Sequence, residues 1–303
     1  MKVIFMGTPD YAQKILEKLI KSDGIDVVAV YTQPDKPVGR KKIMTPPSVK
    51  LLASEKNIAV FQPNRLRDVE VVNELLKIDC DYIVVAAYGQ ILPKEILDHA
   101  PCINLHASIL PQYRGASPIQ QTLLNGDKKT GVTAMLMEEG LDSGDILKIN
   151  SIDVNSTEMV ETLFDRLTEV ASDLTIDILK NFNSYKAIKQ DKNLVTHCKK
   201  ITKADGKITF MDAQNLYNKY RAFTPWPGIY LESGLKLKNI ALEETQRVNE
   251  EAGKIIKIDK DSIVVACSKG SIRIYKVQPQ SKKEMDVLSY INGKRLSLEN
   301  TLS

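Results

Sequence analysis

Residues 1–31 read MKVIFMGTPDYAQKILEKLIKSDGIDVVAVY. Residues 2–6 form a short apolar run with the look of a buried strand. Gly7-Thr8-Pro9-Asp10 is turn chemistry, and Asp10 is placed to cap a helix that follows. From 11 to 21, Ile15, Leu16, Leu19 and Ile20 recur at helical spacing. Residues 25–31 are a second β-rich run. A strand, a helix and a strand within thirty residues imply a parallel pair joined by a right-handed crossover, hence an α/β domain.

Working outward, residues 81–87, 102–106, 132–137 and 146–152 read as later strands of the same sheet, with helices over 68–77, 118–125 and 157–179. From 181 to 203 the pattern dissolves into polar and basic residues, as in a linker. A helix over 212–221 follows, then short β-rich runs at 254–258, 262–266 and 271–277, the pattern of a small barrel or sandwich. A length of 303 residues favours two domains. The expected division is 1–183, a basic linker over 184–204, and 205–303.

With 43% hydrophobic and 26% charged residues, the chain has the composition of a soluble globular protein. No stretch approaches the ~20 apolar residues of a membrane helix, and the first apolar run is too short for a signal peptide. A cytoplasmic location is expected. The four cysteines show no CxxC spacing, which suits reduced thiols. The three histidines stand in no metal-ligand pattern, so no metal is expected. Charge divides the chain: residues 1–183 hold 20 Lys/Arg and 25 Asp/Glu, whereas residues 184–303 hold 22 and 13. A basic second half fits an anion-rich partner, or simply a solvated lysine-rich surface. GxGxxG, GxxxxGK[ST] and GxSxG are all missing, so dinucleotide, P-loop and serine-hydrolase chemistry are unsupported.

What remains is Asn104-Leu-His106-Ala-Ser108-Ile-Leu-Pro111-Gln-Tyr-Arg114-Gly115. A strand period of two puts Asn104 and His106 on one face, at the edge of a parallel sheet where such folds bind ligands. Downstream, Gly140-Leu-Asp142-Ser-Gly144-Asp145 supplies a carboxylate on a glycine-punctuated loop. An Asn amide can donate to a developing oxyanion, a protonated His can stabilise it, and an Asp can accept a proton. The trio suits transfer of a carbonyl group to an amine without a covalent enzyme intermediate. A strand-end His is also a common structural residue, and an Asp before Ser-Gly a common turn residue.

Those two segments together resemble the signature of the folate-dependent formyltransferases. The resemblance implies a formyl donor, 10-formyltetrahydrofolate, an amine acceptor, and catalysis by Asn104, His106 and Asp142. It implies folate-binding walls at Ser108, Ile109, Leu110 and Pro111 and at Ala87, Tyr88, Gly89, Gln90, Ile91 and Leu92, where small residues let the backbone approach a flat pterin.

Three further features are similar to the branch of the family that formylates methionine on initiator tRNA: Phe5-Met6-Gly7-Thr8-Pro9, the basic loop Gln33–Lys42, and Ala222-Phe-Thr-Pro225-Trp226-Pro227-Gly228. They imply an initiator methionyl-tRNA partner, held by Arg40, Lys41 and Lys42; Lys199, Lys200 and Lys203, in or beside the linker, are read as tracking RNA phosphates or as keeping the linker soluble. The fold implied is a doubly wound, Rossmann-like first domain and a smaller open barrel of OB type, in a monomer. The family's loop often reads Gly-Arg-Gly-Lys, whereas here Lys41 follows Arg40 directly. Arg114 is read as a loop anchor or a substrate ligand, and Trp226 as a packing residue. The rival readings are a formyltransferase acting on a small amine, such as a nucleotide sugar or glycinamide ribonucleotide, and a non-catalytic RNA-binding protein on a decayed enzyme fold.

Overall fold

The structure, a computed structural model, describes residues 1–39, 41–246 and 249–302. The chain forms two compact units. The first comprises Met1–Pro118, Lys129–Asp153 and Leu163–Cys198; the second comprises Ile119–Lys128, Val154–Thr162 and the chain from Lys199.

In chain order the elements to Cys198 are β1 (Lys2–Gly7), α1 (Asp10–Ile20), β2 (Asp26–Tyr31), β3 (Lys36–Val38), β4 (Ile43–Thr45), α2 (Ser48–Glu55), β5 (Val60–Phe61), α3 (Val69–Leu75), β6 (Tyr82–Ala86), α4 (Lys94–Leu97), β7 (Cys102–His106), β8 (Arg114–Gly115), α5 (Pro118–Asn125), β9 (Lys129–Leu136), β10 (Ile146–Asp153), α6 (Val160–Lys180) and β11 (His197–Cys198). Seven strands make the main sheet in the order β10-β9-β7-β6-β1-β2-β5. β1 pairs in parallel with β2 and β6, and β6 with β7. Val3, Ile4, Phe5 and Met6 are all fully buried, as in a central parallel strand covered on both faces. Ile4 and Met6 join Ile83, Val85 and Tyr31 beneath Leu75 of α3 and Ile96 of α4. On the other face lies α1, which buries Tyr11, Ala12, Ile15, Leu16 and Leu19. A Cβ on Gly7 would run into Ala12 there, so glycine is what lets α1 turn back against its own strand.

The α/β class and the Rossmann-like parallel core stand as expected, with two differences in detail. β9 and β10 belong to the sheet but run antiparallel at its edge; periodicity carries no information about strand direction. Asp10 is the first residue of α1, not its cap. Pro9 holds that position, and Asp10 accepts a hydrogen bond from the Ser48 hydroxyl. The polar stretch after α6 folds onto the first unit as far as Cys198: Ile188 bridges Ile146, and β11 pairs in parallel with β8.

The second unit contains α7 (Ala213–Phe223), β12 (Ile229–Tyr230), β13 (Lys236–Glu244), β14 (Ile255–Ile258), β15 (Ile263–Ala266), β16 (Ser271–Gln278), β17 (Met285–Asp286) and α8 (Val287–Lys294). Its sheet runs β12-β13-β16-β15-β14, antiparallel throughout, with β17 added to β16. The buried Arg221 of α7 donates to the carbonyls of Asn155 and Glu158 and to Asn218, and so ties residues 154–162 into this unit. Among the described residues, no helix is long and apolar enough to cross a membrane, and no group of three or more His, Cys, Asp or Glu could hold a metal.

Candidate active site

The site is built at the carboxyl end of β7. Asn104 lies opposite Val85 of β6, and His106 opposite Thr133 of β9. Strand alternation puts both side chains on one face. His106 is buried, at 6% exposure. Its Nε2 sits 2.9 Å from the Tyr113 carbonyl. A carbonyl only accepts, so Nε2 carries the hydrogen, and Nδ1 is the nitrogen left facing Asp142, 3.6 Å from Oδ2. Asp142 Oδ1 accepts from the Asn104 amide at 3.3 Å, and Oδ2 from the Gly115 backbone N–H at 2.8 Å. The three residues expected to act together do converge.

The loop carrying Asp142 is tightly constrained. Asp142 itself has φ +48°, a conformation L residues rarely adopt but Asp tolerates. A side chain on Gly144 would collide with the Leu136 carbonyl, and one on Gly115 (φ +119°) with the Cys198 carbonyl. From the polar stretch comes Gln190, which the sequence reading did not single out. Its Nε2 donates to the carbonyls of Asp142 and Gly144 at 2.9 and 2.8 Å. Its Oε1 accepts both Nε and Nη2 of Arg114, at 3.0 and 2.7 Å. Arg114 is thus engaged as an anchor. The neighbouring Cys198 thiol is pushed upward, first by burial and further by the charge of Asp142, so it is no thiolate nucleophile.

The two segments expected as folate walls alternate between open and packed positions. Ala87, Gly89 and Ile91 are exposed at the end of β6, while Tyr88 and Leu92 are buried in the core. Gln90 turns inward, accepting the Leu66 N–H and donating to the Pro63 carbonyl. Ser108 is fully buried, and its hydroxyl donates to the Gln112 carbonyl at 2.6 Å. Leu110 is buried with its N–H on the Thr133 hydroxyl, and Ile109 and Pro111 are half-buried.

Of the basic residues, Lys41 and Lys42 are exposed at the turn of the β3–β4 hairpin, and Arg40 lies outside the described residues. Lys199, Lys200 and Lys203 are exposed in the second unit, with Lys199 3.4 Å from Asp205. Trp226 corrects the sequence reading: it is 61% exposed in the turn after α7 and is no packing residue. The flanking prolines shape that turn without drawing the ring inward.

Comparison with known proteins identifies the family. The formyl transferase family model matches residues 1–179, and the model for the formyl transferase C-terminal domain matches residues 200–295. A methionyl-tRNA formyltransferase of Sulfurimonas denitrificans is 68% identical over 100% of both chains, and one of Nitratiruptor is 56% identical over 99% of both. Among solved structures, the Helicobacter canadensis N-formyltransferase in complex with folinic acid and dTDP-3-aminofucose superposes with TM-score 0.69 at 17% identity, covering 92% of this chain and 100% of that one. HypX of Aquifex aeolicus, in complex with tetrahydrofolic acid, gives 0.61 at 15% identity, covering 100% of this chain and 49% of that one. These structures share the fold. Sequence identity over the full length decides the branch, and the chain belongs to the methionyl-tRNA formyltransferase family of formyl transferases.

Proposed function

We propose that this enzyme moves the formyl group of 10-formyltetrahydrofolate to the α-amine of methionine esterified to initiator tRNA, in the cytoplasm and as a monomer. The observation that carries the reaction is the convergence of Asn104, His106 and Asp142 at the end of β7. The neutral amine attacks the formyl carbon. One amide hydrogen of Asn104 faces Asp142, which leaves the other for the oxyanion of the tetrahedral intermediate. With Nε2–H committed to the Tyr113 carbonyl, His106 acts through Nδ1, which in the protonated imidazolium carries a second N–H and adds a second charge-stabilising donor. Asp142 takes the proton shed by the attacking amine and returns it to the folate nitrogen as the carbon–nitrogen bond breaks. The products are formylmethionyl-tRNA and tetrahydrofolate.

The pterin lies against residues 87–92 and 108–111. Ala87, Gly89, Ile91 and Ile109 offer surface, and the packed Tyr88, Leu92, Ser108 and Leu110 support it. The acceptor stem is held by Arg40, Lys41 and Lys42, and phosphates by Lys199, Lys200 and Lys203. The first unit, which takes in the polar stretch as far as Cys198, is the catalytic part, and the second, with the chain from Lys199, is the tRNA-binding part.

The test is transfer of labelled formyl from 10-formyltetrahydrofolate, with charged initiator and charged elongator tRNA side by side. Label passing only to the initiator form is the expected result. Transfer to neither tRNA, with folate still bound, would replace this reading with a small-amine acceptor.

A further inference from the structure

Gln190 sits in a stretch that carries no apolar pattern, yet it is 9% exposed and makes four polar contacts in the first unit. The orientation of its amide is fixed chemically. Arg114 can only donate, so the oxygen must face it. The carbonyls of Asp142 and Gly144 can only accept, so the nitrogen must face them. The two loop carbonyls, held 2.9 and 2.8 Å from one nitrogen, flank the Asp142 peptide on its carboxyl side. The same strap reaches the other side of the site. Thr196 accepts the Tyr113 N–H on its hydroxyl and the Arg114 N–H on its carbonyl, and so holds the carbonyl to which His106 is bonded.

We propose that Gln190 is a positioning residue for formyl transfer: its amide clamps the 142–144 backbone to Arg114 and so sets where the Asp142 carboxylate stands beside Asn104 and His106. The inference rests on the reading of Asp142 as a catalytic group. Three features make the clamp consequential. Asp142 occupies a left-handed conformation, which Asp tolerates but which the surrounding contacts must hold. Its contacts to Asn104 and His106, at 3.3 and 3.6 Å, are long enough that a small shift of the loop breaks them. And the loop's outer residues Glu138–Leu141 are exposed, so restraint comes from the inner side.

The experiment compares full-length wild type with Gln190→Met, which keeps the volume but has no amide, and Gln190→Glu, which keeps the acceptor for Arg114 but loses both donors to the loop. Asp142→Asn is the reference. Both Gln190 variants are expected to lose about 10–100-fold in kcat, since a displacement near 1 Å costs on that order, with KM for folate and tRNA within about twofold. In an Asp142→Asn background, measured under single-turnover conditions, Gln190→Met should cost no more than about threefold further, because the two changes remove one function. A readout independent of turnover is available, because the chain has three histidines. In ¹⁵N spectra of the imidazoles, Gln190→Met should move the His106 Nδ1 resonance toward its position in Asp142→Asn and leave His99 in place.

Full additivity in the double variant, or wild-type kcat with an unmoved His106 resonance, overturns the proposal. So does a Gln190→Glu enzyme of wild-type rate, which would show that only the Arg114 contact counts. Should Gln190→Met fail to fold, the Glu variant carries the same comparisons. If instead Asp142→Asn alone turns over normally, it is the catalytic reading of Asp142 that falls, whatever Gln190 does.

Discussion

At the scale of single residues, the proposed chemistry makes unequal demands on affinity and on rate. His106 and Asp142 face each other at 3.6 Å at the strand end, and the proposed reaction sets them at the reacting centre and not against the body of the tRNA. His106→Ala and Asp142→Ala should therefore each lower kcat by about 10²–10⁴, the usual worth of positioned acid–base groups. Filter-binding affinity for charged tRNA should stay within about twofold. Equal loss of binding and turnover would mean that these side chains hold substrate instead. Part of this site was legible in sequence because Asn104 and His106 are two apart on a strand, and alternation alone puts them on one face. Asp142 stood out only as a carboxylate on a glycine-rich loop. Gln190 gave no signal, since a polar residue in an aperiodic stretch looks the same whether it is solvated or clamped.

At the scale of elements, periodicity located β1, α1, β6, β7 and α5 to within a residue or two. Each is longer than a turn and has a buried face that repeats. The β3–β4 hairpin and the two-residue strands were invisible, because exposed three-residue ladders have no apolar face to display. Ion pairing across the second unit's sheet was equally hidden. Arg273 of β16 donates to Glu243 of β13 at 2.7 and 2.6 Å and to Asp259, just beyond β14, at 2.5 Å. The guanidinium's hydrogen bonds hold both carboxyls below their ordinary range. A carboxyl depressed in the folded state stabilises the fold above its unfolded value, about 4, and that stabilisation is lost as pH falls through the folded value. The stability gap between wild type and Arg273→Met should therefore be widest at neutral pH and shrink as pH falls below about 4. Urea unfolding across that range checks it, and a gap independent of pH would remove the assigned cause.

At the scale of the whole molecule, the two halves carry opposed charges, 20 Lys/Arg against 25 Asp/Glu and then 22 against 13, and the proposed function gives the chemistry to the first and the holding of tRNA to the second. Phosphate contacts act through counterion release, so each one lost should flatten the dependence of log K on log salt by up to about 0.9. Replacing Lys41 and Lys42, or Lys200 and Lys203, by Ala should weaken tRNA binding and lower that slope. Lys199→Ala should change it less, because Asp205 already faces that ammonium at 3.4 Å. The lysines of the second unit should weaken initiator and elongator tRNA alike, since phosphates carry no base identity. Titrations of both tRNAs at three salt concentrations measure all of this. A slope unchanged in every variant would leave the lysines as solvated surface.

By itself the sequence determined the α/β class, the strand that ends in Asn104 and His106, the β-rich second half and the division of charge. These are local quantities: apolar period, turn chemistry and formal charge are written in neighbouring residues. Only the tertiary structure decided the antiparallel edge of the sheet, the His106 nitrogen that faces Asp142, the exposure of Trp226 and the seat of Gln190. The contacts responsible join residues 38, 48 and 76 apart. They join side chains to one another or to a distant carbonyl, across separations that no local apolar period or turn signal spans.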